Sequence, residues 1–330
     1  MGLLAALLFG FIPALFFAYI LYWLDRYEKE PKILLGGVFL WGAIVAAGGA
    51  FIINTFLGLG VYIFTQSDFV TELAGGSLIA PFVEESLKGL AVFIVFLVFR
   101  KEFDSILDGI VYAGVTALGF AAIENAYYIY NYGFKETGWQ GFWLLAFIRI
   151  VLVGWQHPFY TAFTGIGLAA SRLSRNLFGR FVYPLLGLGM AMFTHAIHNT
   201  LATFLEGLAG LAIGTFIDWS GWFFMFMFIV WITWREQQVL KQSLLEEVYS
   251  GIINQGHYRT ASSATLQSFA RLAAIFSGRF THTARFYQLC GELAHKKLQY
   301  ASLGDEGGNA AAIQRLRAEL ARLAPYSQIS

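Results

Sequence analysis

Glu84, Glu85 and Lys88 stand together in the run Pro81-Phe-Val-Glu-Glu-Ser-Leu-Lys88, inside an otherwise apolar stretch. Three more apolar stretches carry similar groups: Glu124 and Asn125, then His157, then His195, His198 and Asn199. Ionisable side chains at membrane depth cost several kcal/mol by insertion scales, and by default they mark a functional site. A glutamate buried beside a second carboxylate can act as a general base and deprotonate a water for attack on a peptide carbonyl. Histidines and Asn199 could then supply the oxyanion donor and the acid for the leaving group. Zinc chemistry is the alternative, with His157, His195 and Glu124 as a three-ligand open site, although no H-E-x-x-H pattern is present. Ser86 lies outside any G-x-S-x-G context, so a serine triad has no support.

The spacing is consistent with a shared site. Glu84 and Lys88 are i,i+4 and Glu85 and Lys88 are i,i+3, so the lysine can pair with either acid. Phe120 and Glu124 share a helix face, as do His195 and Asn199. Simpler readings exist for each residue taken alone. A Glu–Lys pair can lock helices together, His198 can bond a neighbouring helix, and Asn125 can bridge helices. Arg149 reads as a snorkelling or acid-neutralising residue, and Asp108 as a helix N-terminal residue favoured by the dipole.

These residues must be positioned by membrane-spanning helices. Of the 330 residues, 57% are hydrophobic and 13% charged, about half the charge of an ordinary soluble domain. Apolar runs of about 20 residues, enough to cross a bilayer, fall near 2–24, 33–65, 73–99, 106–132, 141–170, 182–206 and 213–234. A break near Gly48-Gly49 or Gly58–Gly60, or a short dip at Gly207–Gly214, would add an eighth element. The expected fold is therefore an all-α, polytopic transmembrane bundle of seven or eight spans over 1–234, followed by a polar, helical, cytosolic tail over 235–330. Counted along the spans from the ends placed in the cytosol below, Glu85, Glu124, His157, His195 and Asn199 sit 13 to 18 residues deep. That spread is only about 7.5 Å of helix rise, so four helices bring polar groups to one layer.

Arg26, Lys29 and Lys32, then Arg100 and Lys101, then Arg172, Arg175 and Arg180 occupy alternate loops. The positive-inside rule puts these loops in the cytosol, the N-terminus outside and the C-terminus inside. The N-terminal run lacks the basic start of a signal peptide, and Ala6 breaks the myristoylation pattern. Net charge is +1, which leaves no footprint for nucleic acid. Cys290 is the single cysteine, so an intrachain disulfide is excluded. In the tail, Leu266, Phe269, Ala273 and Phe276 make one amphipathic face, for packing on the membrane domain or on a partner. His282, Cys290 and His295 have no metal-motif spacing.

Glu84-Glu85-Ser86-Leu87-Lys88 resembles the E-E-x-x-K motif of the PrsW membrane proteases, and Phe120-Ala-Ala-Ile-Glu124-Asn125 resembles their F-x-x-x-E-N motif. His157 and His195-Ala-Ile-His-Asn199 are similar to the third and fourth motifs, so the resemblance covers about residues 75–205 in order. It implies a helical core shared with CAAX prenyl endopeptidases and bacteriocin-processing enzymes, and Lys88, in place of the E-E-x-x-x-R motif of those endopeptidases, favours PrsW over prenylated substrates. It further implies an intramembrane endopeptidase using glutamate-activated water without an obligatory metal ion and with no cofactor. Glu84 or Glu85 would be the base, Glu124 and His157 would assist, and His195 with Asn199 would hold the oxyanion. Lys88, Phe120 and Asn125 would support them. The implied partners are the lipid bilayer and a membrane-protein or peptide substrate, an anti-sigma factor in the best-known case. The same titratable layer would also suit a proton-coupled transporter or channel.

Overall fold

A computed structural model describes residues 1–25, 27–205, 207–305 and 307–327. Arg26, used above for orientation, lies outside them, as does Glu306. Every element among the described residues is helical. Six helices are long and apolar enough to cross a membrane: α1 (Gly2–Leu24), α2 (Lys32–Thr65), α4 (Ile106–Thr137), α5 (Trp139–Leu173), α6 (Leu177–Phe204) and α7 (Gly207–Tyr249). Between α2 and α4 runs α3, a continuous helix over 68–98 that holds Glu84, Glu85 and Lys88. Its three charges within two turns keep it out of the purely apolar class. The protein is thus a polytopic all-α bundle. Neither glycine pair breaks α2, and Gly207–Gly214 opens α7 instead of forming a separate dip.

The chain divides into two compact units. The first comprises Met1–Trp23 and Glu30–Met227; the second comprises Leu24–Lys29 and Phe228–Ser330. Helix α7 is shared between them.

In the first unit α4 is the buried centre, with nearly every residue from Leu107 to Ala122 enclosed. Its composition explains this. Gly109, Ala113, Gly114, Ala117, Gly119, Ala121 and Ala122 give it a slim profile, and small residues let membrane helices approach until backbones touch. A methyl group on Gly109 would lie 2.3 Å from the Gly165 carbonyl oxygen of α5, and one on Gly165 would lie 2.0 Å from the Gly109 oxygen. Helix α4 starts on a capping box in which Ser105 and Asp108 exchange bonds, so Asp108 is the helix N-terminal residue that the sequence suggests, with a capping role added.

Four of these helices contain a π-helical turn: Trp41–Ala46 in α2, Gly75–Ile79 in α3, Ile129–Phe134 in α4 and Phe147–Leu152 in α5. Such turns carry one surplus residue and frequently accompany functional sites.

The second unit adds α8 (Gln255–Ala261), α9 (Ala264–Phe276), α10 (Phe280–Leu303) and α11 (Asn309–Leu323). Leu244, Phe286, Tyr287, Leu293, Ile313 and Leu320 form its core. The segment Leu24–Lys29 lies on α10: the Lys29 amide donates to Gln288 Oε1 at 2.8 Å, and His295 Nδ1 meets Glu28 Oε2 at 2.6 Å. Cys290 is enclosed in this core, and burial pushes its thiol well above the ordinary value.

Candidate functional site

Helices α3, α4, α5 and α6 bring Glu84, Glu85, Lys88, Glu124, His157 and His195 together in the first unit. Glu85 is fully enclosed. Its Oε1 accepts from Lys88 Nζ at 2.7 Å and from His195 Nδ1 at 3.0 Å, and its Oε2 accepts from Thr161 Oγ1 at 2.8 Å. A carboxylate so occupied is a fixed anchor. Glu84 differs: its Oε2 makes no hydrogen bond among the described residues, and lies 3.6 Å from Lys88 Nζ and 3.9 Å from His195 Nε2.

The two histidines have assignable tautomers. Lys88 is a donor only, and its Nζ lies 3.2 Å from His157 Nδ1, so Nδ1 accepts. The proton is then on Nε2, which donates to Glu124 Oε2 at 2.7 Å. For His195 the bond to Glu85 puts the proton on Nδ1 and leaves the Nε2 lone pair facing Glu84. Tyr160 stacks on His195 with 4.7 Å between centroids, and Phe120 sits 4.1 Å under Lys88 Nζ. An aromatic face thus borders the Lys88 cation.

Arg149 pairs with Glu124 and donates from Nε to Asn125 Oδ1 at 2.8 Å. It therefore neutralises an acid, one of the two roles its position suggested, and Asn125 bridges α4 to α5. Asn199 points elsewhere: its amide donates to the Gly76 carbonyl at 2.9 Å, tying α6 to the π-turn of α3. His198 lies 3.0 Å from Asp218 of α7 and 3.0 Å from Gln156 Nε2. Glu84, Glu124 and Phe120 line a cavity of about 620 Å³ together with Asn54, Tyr127 and Tyr128. Glu85 is not among its lining residues.

Sequence reasoning missed Thr161, Tyr160 and Asp218. Thr161 was findable, since it lies one helical turn beyond His157 on the same face. Asp218 was findable as an acid within an apolar run. The metal-capable group also differs from the expected one. Glu84, His157 and His195 offer one ligand atom each, all within 4.8 Å of one another, whereas Glu124 is taken up by Arg149 and His157.

Comparison with known proteins agrees with the motifs. Residues 30–233 match the model of the PrsW family, described as intramembrane metalloproteases. The chain is 25% identical to Protease PrsW of Bacillus subtilis over 68% of its own length and 89% of that protein. Against the protease of the same name from Geobacillus kaustophilus it is 25% identical over 71% of itself and 90% of the relative. With that of Clostridioides difficile it shares 38% identity over 108 residues, which is less than half of that relative (43%). No solved structure matches the chain. The family match covers more than half of the chain and spans all four helices that build the cluster, so this chain is a member of the PrsW family of membrane proteases.

Proposed function

We propose that the chain is an intramembrane endopeptidase in which Glu84 is the general base. One observation carries this: Glu84 lines the cavity with no hydrogen bond on its buried Oε2 among the described residues, whereas Glu124, the other acid lining it, is paired with Arg149 and His157. A peptide carbonyl in the cavity would be attacked by a water that gives its proton to Glu84. The same carboxyl then returns the proton to the leaving amine. Lys88, 3.6 Å from Glu84, supplies positive charge as the oxyanion develops. Glu124, fixed by Arg149, holds His157 in its Nε2–H tautomer, and Glu85 orients His195. Asn199 is a positioning residue in this reading, because its amide is engaged with α3.

The family's description raises a metal-dependent reading, and the donors fit it. The partnerless Glu84 oxygen and the His195 Nε2 lone pair face each other, and His157 would complete a His₂–carboxylate set of the catalytic zinc type once its Nδ1 exchanged Lys88 for the ion. When bound, such an ion acidifies its water and polarises the carbonyl. Glu85 accepting from His195 Nδ1 then has the form of an orienting carboxylate behind a ligand histidine.

The substrate class is a membrane-anchored protein, and a single-span anti-sigma factor is the case the resemblance implies. The orientation follows from the loop charges, with the N-terminus outside and the C-terminus cytosolic. The division of labour is a peptidase within 1–234 and a cytosolic tail from 235. The test reconstitutes the purified protein in bilayers with a single-span substrate. Glu84→Gln should slow cleavage by about 10²–10⁴-fold, and equal product from wild type and variant would refute the base assignment. Metal content measured beside activity separates the two chemistries. A metal-free protein that still cleaves rules out the second reading, and activity restored only by added zinc supports it.

A further inference from the structure

Helix α9 turns its large apolar side chains outward. Its inward residues are Gln267, Ala270 and Ala274, whereas Leu266, Phe269, Leu272, Ile275 and Phe276 are exposed, Phe269 at 64% and Phe276 at 86%. Phe280, at the start of α10, is exposed as well. The face expected to pack on the membrane domain or on a partner is thus exposed, and a contiguous apolar surface of this kind marks an interaction site.

The second unit carries its own marker for what covers that face. The apolar run of α7 ends at Trp231 and Trp234, both exposed, and Arg235 sits over the Trp231 ring at 5.3 Å. Tryptophans followed by a basic residue are the signature of a membrane–water boundary. Gln237 is about 4.5 Å of helix rise beyond Trp234, and its Nε2 donates to the Ser262 carbonyl at 2.8 Å. Ser263, the next residue, caps α9. Val239 of α7 and Ala264 of α9 pack on the same small cluster of Tyr27, Leu240 and Ala294. Helix α9 therefore begins at the level where α7 leaves the apolar layer. Charge agrees: residues 248–280 include Arg259, Arg271 and Arg279 and no Asp or Glu, which suits anionic headgroups.

We propose that α9 is an interfacial membrane helix, sinking its Leu266–Phe276 face into the headgroup–acyl boundary of the bilayer that α7 crosses. The second unit is thereby held to the lipid surface at two places, the end of α7 and α9.

The test uses the full chain in nanodiscs of mixed phosphatidylcholine and phosphatidylglycerol. An environment-sensitive fluorophore is placed at Phe269→Cys, at Ile275→Cys, and at the control Gln314→Cys, which is exposed on α11. The parent chain reports background labelling, because Cys290 is buried. Nitroxide-bearing lipids should quench the two α9 positions several-fold more than aqueous iodide does, with the opposite ranking at Gln314. Iodide quenching at Phe269 and Ile275 equal to the control overturns the proposal. Shielding from both quenchers also overturns it, because a protein then covers the face. Two α9 positions guard against one poorly folded variant.

Discussion

Lys88 Nζ lies 2.7 Å from Glu85 Oε1, and neither side chain has any exposed surface. The pair sits within one turn of α3, and both partners reach out of it: Glu85 to α5 and α6, Lys88 to His157 of α5. It fastens three helices at a single depth.

Breaking this pair should cost more than removing it. Lys88→Met leaves a buried carboxylate uncompensated, a change worth about 3–5 kcal/mol in buried ion pairs. The double variant Glu85→Gln/Lys88→Met should be less destabilised than the sum of the single changes. Unfolding midpoints in detergent would check this, and additive losses would show the pair to be uncoupled.

The two adjacent glutamates should separate by phenotype. Glu84→Gln should lower kcat by about 10²–10⁴, the span of general-base contributions, while leaving the unfolding midpoint close to wild type. Glu85→Gln should lower both, because three hydrogen bonds depend on its oxygens. The same loss of stability in both variants would contradict the division into a base and an anchor.

Gly165→Ala should splay α5 from α4. The added methyl would fall 2.0 Å from the Gly109 carbonyl oxygen, and overpacking of this kind costs about 1–3 kcal/mol. Activity should fall with stability, since His157 rides on α5 and Glu124 on α4 and their bond spans the joint. Disulfide trapping of cysteine pairs across the α4–α5 joint would measure the displacement, and unchanged trapping yields would count against it.

A pH effect should appear in the second unit. Glu246 is held below the ordinary carboxylate value of 4.5 by hydrogen bonds from Lys297 and Arg317. A group whose folded value is depressed gives stability that is present above its unfolded value and lost as pH falls through the folded one. Protection of the α11 amides against hydrogen exchange should therefore weaken as pH drops below about 4.5. Arg317→Ala should flatten that dependence. An equally steep profile in the variant would assign the effect to other acids.

Much of this was legible beforehand because polar residues in an apolar sequence stand out. Glu84, Glu85, Lys88, Glu124, His157 and His195 were found by composition and by depth, and the structure gathers them. What periodicity left open was direction. Adjacent residues on a helix point about 100° apart, so the sequence could not distinguish Glu84, at the cavity, from Glu85, in the interior. Asn199 shares a face with His195, yet the π-turn of α3 presents the Gly76 carbonyl to it and draws it away. The orientation of α9 was equally hidden: an amphipathic pattern says that two faces differ, and it does not say which one the protein keeps for itself.

The surplus residue in each π-turn makes the register of these helices discontinuous. Upstream and downstream of Gly75–Ile79, α3 presents two faces that no single helical wheel can represent. Deleting one residue there would restore an even winding and rotate Glu84, Glu85 and Lys88 by about 100° relative to Asp68–Ala74. In a related chain, a gap of one residue at this place would therefore be a larger change than many substitutions, since it re-aims a whole row of side chains at once.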